Sequence, residues 1–145
     1  MPVDPDYHGT WQDAEDVVKS IAGTILINGE PVERVGRETA AGRDLPGGTI
    51  RIERVGGAPN LDETSDNPLV EIAYFGASYA QVQSMQQAMF RAMKDAVGEE
   101  VHAGAVPDLA RVEAGPIRPA WSAAGESKTI RKIENWRLSW RPALT

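Results

Sequence analysis

The chain has 145 residues, a formal charge of −6 and no cysteine. Its length predicts one domain over residues 1–145 with one buried core, and the missing cysteine excludes a disulfide framework, a thiolate nucleophile and a thiolate metal site. No apolar run reaches the roughly eighteen residues of a membrane span, and the acidic, proline-broken opening "MPVDPDYHG" is the opposite of a signal peptide, so use without secretion is expected.

The first element is "GTWQDAEDVVKSIAG". Thr10 is the expected N-cap, acidic residues fill the first turns and Gly23 is the expected stop. Trp11, Ala14, Val17, Val18 and Ile21 recur at helical spacing and predict one buried stripe. Residues 24–48 scatter Gly, Pro and charge; "TILI" reads as a short strand and "NGEP" as a turn, and the remainder as an irregular, partly mobile excursion. "TIRIERV" at 49–55 and "LVEIAYF" at 69–75 alternate, placing Ile50 and Ile52, then Val70, Ile72 and Tyr74, on a covered sheet face. Their connection, "GGAPNLDETSDNP", is far longer than the two to five residues of an ordinary hairpin.

The strongest local pattern follows in "SYAQVQSMQQAMFRAMKDAVGEE". Ser78 and Gln81 form a capping box, Val82, Met85, Met89, Met93 and Ala96 step by three and four, and Gly98 is the expected terminator. The methionine stripe reads as core against a sheet, in preference to a pliable partner groove. "LARVEAGPIRP" at 109–119 and "TIRKIENWRLSWRP" at 129–142 read as strands. In the second, Trp136, Leu138 and Trp140 form an apolar face alternating with Arg137, Ser139 and Arg141. The expected fold is α+β: a mainly antiparallel sheet of about four strands packed by two helices, with a long irregular segment near 24–48.

Residues that could carry catalytic chemistry are few. The two histidines, His8 and His102, lie in unrelated contexts, and the alternate-residue set Asp4, Asp6 and His8 reads better as a solvated terminus than as a metal site. The glycine clusters lack the strand-then-helix setting of a phosphate cradle, "PIRP" at 116–119 reads as strand-end punctuation, and no nucleophile or zinc motif is present. Neither an enzyme nor a cofactor or metal site is expected. Nucleic-acid recognition by the Arg/Trp tail is disfavoured, because its tryptophans and Arg137 and Arg141 point to opposite faces and the net charge is negative.

Charge is unevenly spread. Residues 1–72 carry 6 basic and 14 acidic groups, and residues 118–145 carry 6 basic and 2 acidic. Such opposed ends suit head-to-tail contact between copies, although they also describe two solvated faces. The expected subunit interface sets Asp62, Glu63 and Asp66 of the long connector against Arg131, Lys132, Arg137 and Arg141 of the closing strand. Exposed pairs of this kind contribute only about 0–1 kcal/mol each, so they would set direction and register while apolar contacts supply affinity.

The order and texture of the elements resemble a known family. A "DAEDVVKSIAG" helix and a loose Gly/Pro segment lead into "IRIERVGGAPN", then "DNPLVEIAYFGAS" opening an alanine-rich helix, and the chain closes on "NWRLSWRP". Over residues 11–142 this is similar to the tail terminator proteins of long, non-contractile-tailed phages, particularly those of actinobacterial hosts. The resemblance implies a structural virion protein that forms a homohexameric ring on the head-proximal end of the tail tube. It would end tube polymerisation and join the tail to the head-completion protein. Assembly would occur in the host cytoplasm, with DNA only as transient cargo through the channel and no membrane contact. Two other readings stay open: another neck or tail-completion factor, and a cytosolic oligomeric domain that binds a small ligand in a cleft beside the methionine helix.

Overall fold

The computed structural model describes residues 13–36, 48–57, 66–117 and 130–140. Its elements in chain order are α1 (Ala14–Ala22), β1 (Leu26–Ile27), β2 (Glu30–Pro31), β3 (Arg34–Gly36), β4 (Thr49–Gly56), β5 (Leu69–Gly76), α2 (Tyr79–Asp95), β6 (Pro107–Ile117) and β7 (Ile130–Trp140). This is the expected α+β arrangement of two helices on a mainly antiparallel sheet.

Helix α1 is capped by Asp13 rather than Thr10. Asp13 sits in extended conformation, and its carboxylate accepts the backbone N–H groups of Glu15 at 2.8 Å and Asp16 at 3.3 Å. A charged acceptor followed by two acids in the first turn satisfies the orphan donors and the helix dipole together. Thr10 and Trp11 lie outside the described residues. Helix α2 begins as expected at Ser78, whose Oγ accepts from the Gln81 N–H at 3.1 Å. Gln81 returns the bond to the N–H of Ala77, one residue further back than in a standard capping box. The helix stops at Asp95 with Ala96 as cap. Gly98, at φ +87°, then turns the chain so that its N–H donates to the carbonyl of Pro107 at the head of β6.

The segment after α1 is more ordered than its composition suggests. β1 and β2 form a hairpin whose two central residues, Asn28 and Gly29, both have positive φ, the requirement of a type I′ turn. β3 then pairs in parallel with β4, Arg34 opposite Thr49, so the main sheet has five strands in the order β3-β4-β5-β7-β6. The expected "TILI" strand and "NGEP" turn are present as β1 and the β1–β2 turn, and the sheet of about four strands gains β3, a short edge strand in the stretch read as irregular. Three residues are too few to display an alternation, and a parallel edge strand has no hairpin signal to announce it.

Both helices lie on one face of the sheet. Val17, Val18 and Ile21 from α1 and Val82, Met85, Met89 and Met93 from α2 meet Ile50, Ile52, Val70, Ile72, Tyr74, Trp136, Leu138 and Trp140, none more than 3% exposed. Burying each large side chain contributes about 1.5–3 kcal/mol, which makes this layer the main source of stability. The other sheet face carries the odd-numbered residues of β4, β5 and β7, among them Arg51, Glu71, Phe75, Arg131 and Arg137.

Candidate assembly surface

The structure divides the residues expected at a subunit interface. Asp62, Glu63 and Arg141 lie outside the described residues. Asp66 is buried, at 1% exposure, and is already paired within its own chain. Its two carboxylate oxygens accept from Arg54 Nη1 and Nη2, each at 2.9 Å, and one of them also accepts the Asn67 N–H. Arg54 further donates to the carbonyls of Gly56 and Gly57. Asp66 exchanges backbone hydrogen bonds with Trp140, and the Leu138 N–H donates to Pro68, so the end of the connector continues the sheet beside β7. Asp66 therefore closes the base of its own loop: its carboxylate is buried and held bidentately by Arg54 of the same chain, and is not presented at the surface as the interface expectation has it.

Strand parity divides the basic set. Arg131 and Arg137 stand on the helix-free face, whereas Lys132 shares the helix-side face with Glu134 and Trp136. The Arg131 guanidinium lies 6.0 Å from the Phe75 ring and that of Arg51 lies 5.9 Å from it, while the Lys132 ammonium sits 4.6 Å from the ring of Tyr79 at the start of α2. Arg137 donates to the Asn67 carbonyl at 3.2 Å and reaches Glu113 at 3.5 Å. Glu113 also takes two hydrogen bonds from Arg111, and chiefly these hold its carboxyl below the ordinary carboxylate range, with Arg137 assisting. Arg51 pairs with Glu71 at 2.8 Å. The helix-free face thus carries both signs, paired across strands in Arg51–Glu71 and Arg137–Glu113 and within β6 in Arg111–Glu113, and is not a single-sign patch.

Sequence reasoning missed one buried polar cluster. Glu134 is 1% exposed and accepts from the Tyr74 hydroxyl, from Trp136 Nε1 at 2.8 Å and from Gln86 Nε2 at 3.3 Å. Burial, reinforced by the neighbouring carboxylate, pushes the Tyr74 hydroxyl well above its usual pKa. The signal was available in "KIENWRLSW", where Glu134 falls on the same parity as Trp136, Leu138 and Trp140. Three donors on one carboxylate make a satisfied structural acceptor with no lone reactive group. His102 Nδ1 lies 3.2 Å from Ser20 Oγ and ties the turn after α2 to the end of α1. Among the described residues no three His, Cys, Asp or Glu side chains are placed to hold a metal ion, and no helix is long and apolar enough to cross a membrane.

Two flanks of α2 remain open. Between α1 and α2 lies a groove of about 500 Å³, and on the opposite side Phe90, Val97 and Val106 are each about 40% exposed. No protein-family model matches the sequence, and no curated protein does. Among solved structures the chain is similar to one from the virion of a native gene transfer agent particle, with 13% sequence identity and a TM-score of 0.51. The likeness covers 95% of this chain and 99% of that one. At this identity it is a likeness of fold, and it spans nearly the whole of both chains.

Proposed function

We propose that the protein is a structural component of a phage-like virion, and specifically a tail terminator. In this reading copies of the chain close into a six-membered ring on the head-proximal end of the tail tube, stop its growth and present a surface to the head-completion protein. The observation that carries the reading is the end-to-end fold likeness to a virion chain of matching extent. The sequence resemblance over residues 11–142 points the same way by an independent route.

Two features of the fold support a role in assembly. The ion pairs Arg54–Asp66, Arg51–Glu71 and Arg111–Glu113–Arg137 form within one chain and brace the sheet and the connector, which suits a scaffolding subunit. A net charge of −6 also suits a ring through which DNA slides without being gripped. The role proposed is binding without catalysis, with no cofactor. The test is to add the purified chain to growing tail tubes and image them. Rings at one end of each tube, with elongation halted, are expected. Tubes that elongate unchanged and carry no added density would refute the terminator role. The groove beside α2 favours one competing reading, a small-ligand-binding domain. That reading predicts a monomer whose melting temperature rises with a bound compound.

A further inference from the structure

The two open flanks of α2 differ in shape and in charge. On the α1 side the helix offers Ala88, Ala92 and Ala96 at successive four-residue steps, so its surface is recessed. Ile21 and Ile25 complete an apolar floor, and Leu26 stands at the lip, 61% exposed. The charged groups of the rim are Asp95, Glu100 and Arg91, two acids to one base. On the β6 side the surface is a ridge. Phe90 packs on Trp136 with ring centres 5.5 Å apart yet is still 40% exposed, and Val97 and Val106 extend the strip. Its cation is Lys94, whose Nζ donates to the Ala110 carbonyl at 2.7 Å and lies 5.8 Å from the Phe90 ring. At 3.6 residues per turn, Phe90 and Ala92 point about 160° apart around the helix axis.

We infer that the alanine-floored groove of one copy receives the Phe90–Val97 ridge of a second copy, making a head-to-tail joint across α2. The alternative two-fold pairings are poor on both counts. Groove against groove leaves a void between small residues and brings four acids together with only two arginines; ridge against ridge sets Lys94 against Lys94. Only ridge into groove matches convex to concave and places Lys94 near Asp95 and Glu100. Because the two surfaces lie on opposite flanks, each copy keeps one of them open for the next, which is the requirement of a heterologous ring or filament. The apolar contact supplies the affinity that charge pairs at the surface do not. This deepens the ring reading above by naming the surfaces that join.

The natural absence of cysteine makes the test direct. Leu26→Cys and Val97→Cys each place a thiol on an exposed position, and circular dichroism confirms that each variant is folded. The two single variants are mixed in equal amounts and treated with a short bismaleimide, both as concentrated free protein and on tail tubes. Cross-linked dimers in the mixture but in neither variant alone, and a ladder of higher species from the double variant, are expected. Cross-linking within either single variant, or none in the mixture in both settings, overturns the joint. Adding Ala92→Trp to fill the groove should abolish the ladder at least tenfold; a ladder that survives it also overturns the joint. Capped tubes without cross-links would reject these surfaces while leaving the terminator reading intact. Cross-links without capped tubes would do the reverse.

Discussion

Asp66→Ala tests how the long connector is anchored. The carboxylate is 1% exposed, and its Arg54 partner has a side chain 30% exposed, so the pair stands between the buried and surface limits. A fully buried pair broken on one side costs roughly 3–5 kcal/mol, whereas an exposed pair contributes about 0–1. Arg54 can rehydrate in part and keeps its bonds to the carbonyls of Gly56 and Gly57, which lowers the cost. The Asn67 N–H loses its acceptor, which raises it. The expected loss is about 2 kcal/mol, measured as a shift in the urea midpoint at constant slope, or about 6–8 °C in melting temperature for a chain of this size. Arg54→Ala and the double variant complete a cycle whose coupling should be about 1–2 kcal/mol. A loss under about 0.5 kcal/mol, or additive single effects, would show that the clamp does not hold the loop base. Because Asp66 faces inward, any change in assembly should track the loss of fold stability.

Gly57→Ala should cost about 2 kcal/mol or more in a urea melt, since φ is +81° and an added Cβ would lie 2.0 Å from the Asn67 carbonyl. Met89→Ala, at the centre of the fully buried stripe, should lose about 2–5 kcal/mol by thermal melting, with secondary structure retained below the transition. The raised Tyr74 pKa means that the folded chain holds this proton more tightly than the unfolded one. Stability from it is therefore complete below the ordinary value of 10.0 and is lost as pH climbs beyond that point. Tyr74→Phe should flatten the decline in melting temperature above about pH 10, at the cost of one hydrogen bond to Glu134 at neutral pH.

Much of the fold was legible because two periods were intact. Ile50 and Ile52, or Val70, Ile72 and Tyr74, alternate without interruption, and the Met85–Met89–Met93 ladder never leaves one helix face. What escaped was whatever depends on distant partners. β3 exists because β4 lies beside it, and nothing in "RVG" declares that. Asp66 looked like loop charge because its partner, twelve residues back, comes alongside only when the connector closes on itself. Lys132 is a different case. Its parity with Trp136 was present in the sequence, so grouping it with Arg131 and Arg137 overlooked a rule already used for the tryptophans. The helix caps show the same limit on a smaller scale, since Thr10 and Asp13 are both good caps and the structure uses Asp13.

The buried Glu134 cluster bears on assembly through register. β7 lies between β5 and β6, and a slip of one residue would turn Glu134, Trp136, Leu138 and Trp140 onto the helix-free face together. An apolar strand can slip at the cost of packing alone. Here a slip would also strand the Tyr74 hydroxyl and the Gln86 amide without their shared acceptor, and such orphaned groups cost about 1–3 kcal/mol each. The alignment of β7 in turn fixes where β6 lies, and β6 carries the Ala110 carbonyl that holds Lys94 and the Pro107 carbonyl that receives the Gly98 N–H. The ridge of Phe90, Val97 and Val106 is therefore positioned by a polar lock inside the core. In the ring proposed above every error would repeat once per copy, so the proposed joint benefits from a placement set by such a lock and not by adjustable surface contacts.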